Sequence, residues 1–186
     1  GLADGDRLMA LRSVVSGSLA ISRLGSEGRA VYRLLAPVRA HVLAEAMDDG
    51  RSALRDEWLG RWTVKVRSAI AGPQEAQAFA ATEALLPDLE AHWSRRIAAG
   101  DREPVAVGVS SMWRFWFSTF RVEAGIHWLE AALDGPLPPD VEAAAANTLG
   151  WLTWLDDRTE QAVPILERAA RAALRADDRE RLGLVD

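Results

Sequence analysis

Residues 140–173 constrain the fold of this chain more than any other stretch. Ala143, Ala144, Leu149, Gly150 and Leu152 make a small-residue apolar helix, Asp156-Asp157 interrupts it, and Ala162, Leu166, Ala169 and Ala173 recur at i, i+4, i+7, i+11 in a second helix. Small side chains at facing positions let two helices approach closely. The pattern occurs twice. Leu129-Glu130-Ala131-Ala132 lies over Leu166-Glu167-Arg168-Ala169 at a shift of 37 residues, and Asp134-Gly135-Pro136-Leu137-Pro138-Pro139 links the copies. One helix pair cannot bury its own apolar face, so such units stack on their neighbours into a solenoid. The expected fold is mainly α, a scaffold that presents a surface.

Leu149-Gly150 followed by Ala162, Leu166 and Ala169 at these separations resembles the tetratricopeptide repeat, a helical hairpin of about 34 residues. The resemblance implies an α-solenoid whose first helices line a concave face. The 37-residue shift sets Ser110 over Asn147, Arg114 over Trp151 and Phe117 over Trp154, and these six are the expected groove lining. Arg114 with Asn147 suits a carboxylate or an amide, since guanidinium donates in a planar fork and Asn offers both donor and acceptor. Four of the eight tryptophans, Trp113, Trp116, Trp151 and Trp154, are spaced i, i+3 on first helices. Two readings stand for them: ordinary inter-helix core, the commoner fate of helix-spaced aromatics, or a groove for an apolar peptide or small ligand.

Composition narrows the function. At 186 residues and 49% apolar content the chain can build a sizeable core. A net charge of −5 disfavours a protein that coats nucleic acid or an anionic membrane. No cysteine is present, which removes disulfides and thiolate metal sites. The longest uncharged run in the repeat, Ala143 to Leu155, is shorter than the roughly 18 apolar residues of a membrane span, so a cytoplasmic location without membrane association is expected. Lys65 is the only lysine beside 21 arginines, a bias of GC-rich bacterial genomes.

His41, His92 and His127 are far apart in sequence and form no H-E-x-x-H, so no metal site or cofactor is expected. Gly108-Val109-Ser110-Ser111-Met112 lacks the closing glycine of a nucleophile elbow. The acidic pairs Asp156-Asp157 and Asp177-Asp178 sit where helix ends are expected. No catalytic residue is assigned.

Two domains are expected, 1–48 and 49–186. In the first, a helix capped by Asp6 precedes two apolar runs around Gly25-Ser26-Glu27-Gly28, a β-hairpin pattern, and Pro37 opens a second helix. Helix, hairpin and helix suggest the wing end of a winged helix. Arg23, Arg29 and Arg33 on that hairpin suit phosphate contact. In the second domain a helix over 52–71 ends at Gly72-Pro73. Another pattern over 74–99 is expected to break before Pro87 and to stop at Gly100, with Asp101 as the next N-cap. Residues 104–117 and 122–133 form the upstream hairpin. The last helix ends near Ala176, after which a further, truncated repeat begins.

Tyr32-Arg33-Leu34-Leu35-Ala36-Pro37-Val38-Arg39-Ala40 resembles the segment YRLLETVRAYA that closes the winged helix of bacterial signal-transduction ATPases with numerous domains, which include transcriptional regulators of the AfsR, LuxR-like and MalT-like kinds. Glu83 to Ala91 and His127 to Leu133 are similar to segments of the helical region that follows in that family. The resemblance implies a non-catalytic sensor and interaction region whose partners are the ATPase and effector domains of a larger regulator and a peptide or small-molecule inducer; separately, an uncapped C-terminal repeat would expose an apolar edge, through which a second copy is an expected partner. No phosphate-binding loop occurs here. The alternative is a DNA-binding winged-helix module with a helical dimerisation region. The acidic neighbours Asp4, Asp6, Glu27, Asp48 and Asp49 weigh against it.

Overall fold

The computed structural model describes residues 4–24, 30–46, 51–70 and 72–181. Among these the chain is mainly helical, with nine helices and one two-stranded antiparallel sheet. It divides into two compact units, Gly1–Arg55 and Asp56–Asp186.

In the first unit, α1 (Asp4–Ser16) leads into β1 (Ala20–Leu24), which pairs with β2 (Ala30–Leu34) and is followed by α2 (Ala36–Ala46). Helix α1 begins at Asp4, which places Asp6 inside its first turn rather than at its cap. Its end is closed by Ser18 in the left-handed region, with the Leu19 N–H donating to Val14 O and the Ser18 N–H to Val15 O. The strand register sets Ile21 opposite Arg33 and Arg23 opposite Val31, so these four share one face of the ribbon. The hairpin turn, including Arg29, lies outside the described residues.

The second unit comprises the rest of α3 (Arg51–Ile70), then α4 (Glu75–Ala98), α5 (Glu103–Ser111), α6 (Trp113–Ser118), α7 (Val122–Leu133), α8 (Pro139–Leu155) and α9 (Thr159–Arg181). Leu59, Thr63, Val66 and Ile70 form the buried face of α3 at i, i+4, i+7, i+11, whereas Trp58 stands half exposed. Leu89, Trp93, Val109, Met112, Phe115, Trp116, Leu129 and Leu152 join them in one continuous core. Helix α5 packs on α7 and α8, α7 on α8, and α8 on α9. Contacts between Glu142 and both Arg168 and Arg175, and between Gly150 and Leu166, run α8 and α9 antiparallel.

Two helix-turn-helix junctions repeat at the 37-residue shift. Helix α6 ends with Phe120 left-handed, the Arg121 N–H donating to Trp116 O and the Phe120 N–H to Phe117 O. Helix α8 ends with Asp157 left-handed, the Arg158 N–H donating to Thr153 O and the Asp157 N–H to Trp154 O. Every member of the first set lies 37 residues before its counterpart. The small residue that follows each junction is buried, Gly125 in α7 and Ala162 in α9.

Several expectations need correction. The helix over 104–117 is two helices, broken at the fully buried Met112. The Ser110 and Ser111 hydroxyls donate back to Ala106 O and Val107 O just before the break, competing with the backbone ladder. Helix α4 runs unbroken through Pro87, which is exposed, so the carbonyl freed by the missing N–H faces water. Gly100, at φ 78°, ends α4 as expected, but Asp101 takes the Arg96 guanidinium instead of capping α5. Helix α9 continues to Arg181 with no turn at Asp177, and Ala172 rather than Ala173 is buried.

Candidate functional site

Helix α8 buries three of its sides against α5, α7 and α9 and leaves one stripe open. Asp140, Ala144, Asn147, Trp151 and Trp154 follow i, i+4, i+7, i+11, i+14, and all five are exposed. On α5 and α6, Val107, Ser110, Arg114 and Phe117 lie beside it at i, i+3, i+7, i+10, the spacing of Ala144, Asn147, Trp151 and Trp154. Between the two rows lies a groove of about 420 Å³, floored by Ile70, Val107, Val141 and Ala144 and walled by Ser110, Trp113, Arg114, Asp140 and Asn147.

Of the six residues expected to line a groove, Ser110, Arg114 and Asn147 do so. Phe117, Trp151 and Trp154 lie further along the same helices, outside that cavity, and are about half exposed. The four tryptophans separate by environment. Trp116 is fully buried and donates its indole N–H to Val109 O at 3.0 Å, whereas Trp113, Trp151 and Trp154 are 47%, 53% and 49% exposed. Trp151 and Trp154 meet edge to face, centroids 5.4 Å apart and planes at 88°.

The electrostatics differ from the sequence expectation in one respect. Arg114 is engaged by Glu75 through two parallel bonds, Nε to Oε1 and Nη2 to Oε2, each 3.0 Å, while its guanidinium carbon lies 5.6 Å from the centre of the Trp113 ring. The fork expected to receive a carboxylate is thus filled by a carboxylate 39 residues away. The Ser110 and Ser111 hydroxyl protons are likewise committed to backbone carbonyls, leaving their oxygens as acceptors. Asp140 and Asp157 have no ion-pair partner among the described residues. Sequence reasoning passed over Asp140 and Glu75. Asp140 belongs to the α8 stripe and could have been found by extending that spacing one turn back, whereas nothing local marks Glu75.

A second polar cluster sits apart from the groove. His92, 1% exposed, places Nδ1 3.0 Å from Asp56 Oδ1, and Arg95 donates to the same oxygen. Burial holds the His92 imidazole below its usual 6.5 against the pull of Asp56, so the ring is neutral at pH 7. Burial works to raise the Asp56 carboxyl, but the bonds from Arg95 and His92 outweigh it and hold the group below its usual 3.8. His127 is exposed against Trp128, and no group of three or more potential metal ligands assembles among the described residues. Arg23 and Arg33 are exposed on the shared face of the hairpin. No described helix is long and apolar enough to cross a membrane.

Comparison with protein-family models, with curated proteins and with solved structures gives no match to this chain.

Proposed function

We propose that residues 56–186 form a tetratricopeptide-like sensor and interaction region of a multidomain bacterial transcriptional regulator, with residues 1–55 as the end of a winged helix. The observation that carries this reading is the α8 stripe, where two indoles stand about half exposed on a helix otherwise packed on every side. Burying such a ring contributes about 1.5–3 kcal/mol, so two left in water mark a contact surface. A peptide or small-molecule inducer held there shifts the regulator between inhibited and assembly-competent states, provided that it binds the two with different affinity. The working groups are packing and hydrogen-bonding groups, and the region has no catalytic role.

Screening residues 1–186 against peptides and small molecules by calorimetry tests this. Ligands are expected whose binding disappears in the double variant Trp151→Ala with Trp154→Ala while it still unfolds cooperatively, its melting temperature lowered by several degrees at most. Ligands that bind the wild type and the double variant equally would contradict the groove.

A second reading, a nucleic-acid-binding wing, is favoured by one observation: Arg23 and Arg33 share an exposed face of the hairpin. Low-salt gel shift decides it. Salt-sensitive binding lost in Arg23→Ala and Arg33→Ala supports the wing, and absence of a shift supports the sensor alone.

A further inference from the structure

We propose that the α8 stripe accepts a basic linear peptide segment, about six or seven residues long, with one cationic side chain at each end; this rests on the groove reading above. The length follows from geometry. Asp140 and Trp154 are 14 residues apart on one helix, about 21 Å at 1.5 Å per residue, which an extended chain covers in about six residues.

The charge follows from four features of the same face. Asp140 stands at one end of the stripe, exposed and without an ion-pair partner among the described residues. At the other end, Trp151 and Trp154 meet edge to face and stand about half exposed, so the indole surface left in water can attract a guanidinium or ammonium. That pair lies at the C-terminal end of α8, where the carbonyl ends of the helix favour positive charge, and Asp157 follows with an exposed carboxylate that has no ion-pair partner among the described residues. The only cation in the groove wall, Arg114, is already neutralised by Glu75. Between the ends, the Ser110 hydroxyl oxygen and the Asn147 carbonyl are acceptors suited to the N–H groups of a peptide backbone. The wider field has the same sign: residues 56–186 carry 14 Lys and Arg against 21 Asp and Glu, a net charge of −7, whereas residues 1–55 carry 8 against 6, a net of +2.

Three fluorescein-labelled heptapeptides test the proposal by anisotropy on residues 1–186: one with arginine at both ends and leucine and alanine between, and counterparts with glutamine or glutamate at both ends. The arginine peptide is expected to bind saturably, at least ten-fold more tightly than the glutamine peptide, and to weaken several-fold as salt rises. Asp140→Asn and Trp154→Ala should each lower its affinity at least ten-fold while moving the melting temperature by a few degrees at most. Equal or tighter binding of the glutamine or glutamate peptide, lost in Trp154→Ala, overturns the cationic assignment and leaves the groove standing. Displacement of the arginine peptide by an equal concentration of spermidine overturns a peptide as the occupant. No binding by any of the three, or binding indifferent to Trp154→Ala, overturns both the peptide and the groove.

Discussion

Phe120 sits at φ 55°, a conformation that costs a side-chain-bearing residue roughly 1–2 kcal/mol, yet its ring is 95% exposed and returns nothing to the core. Phe120→Gly removes that cost and adds some unfolded-state entropy. We therefore expect a net gain of about 0.5–1 kcal/mol in urea unfolding. The two helix-packing glycines are not equivalent. A Cβ on Gly125 would lie 2.8 Å from both Leu152 Cδ1 and the ring carbon Cγ of fully buried Trp116, which has nowhere to go. A Cβ on Gly150 meets Leu166, a side chain 37% exposed and able to swing outward. Gly125→Ala should cost about 1–3 kcal/mol of overpacking less at most about 1 kcal/mol of helix propensity, and Gly150→Ala markedly less. At this scale the sequence was legible in its small-residue positions. It was silent on which tryptophan is core, because Trp113 and Trp116 have the same i, i+3 relation as Trp151 and Trp154; in the structure Trp116, 37 residues before the buried Thr153, faces the core and the other three stand about half exposed.

Among the elements, α3 and α4 are joined by a partly buried polar cluster of His92, Asp56 and Arg95 that responds to acid. The folded His92 resists a proton that the unfolded chain accepts below its usual 6.5, so the unfolded state binds more protons as pH falls through that value. Stability is present above pH 6.5 and declines toward pH 5. The depressed Asp56 carboxyl adds a further loss as pH falls below 3.8 and through its folded value. His92→Gln should flatten the urea midpoint between pH 7 and pH 5, and an unaltered slope in that variant would assign the decline elsewhere. The helices themselves were largely readable from apolar spacing and from stops such as Gly100. The two failures have physical causes. An interior proline was tolerated on an exposed face of α4, and a helix that periodicity alone made continuous is divided at Met112, just after two serines that donate back to carbonyls. The Arg114–Glu75 fork was not readable at all, since it is a contact between elements 39 residues apart.

For the whole molecule, the core and the exposed stripe both lie in residues 56–186. Among the described side chains of residues 1–55 only Ala20 is buried, whereas residues 56–186 hold the continuous core around Trp93, Phe115 and Trp116. Residues 56–186 alone should therefore melt within a few degrees of the full chain by circular dichroism; loss of folding would show that the first unit supplies core. The doubled helix-turn-helix junctions gave the sequence its strongest signal, and they also place the exposed stripe, because equivalent positions of neighbouring helices line up on one side. The claim at the centre of this account is that this side is kept clear of the core. Equilibrium urea unfolding of Trp116→Ala, Trp151→Ala and Trp154→Ala tests it most directly. The account predicts a loss of about 3–5 kcal/mol for Trp116→Ala and no more than about 1 kcal/mol for each of the other two, and a comparable loss for all three would contradict it.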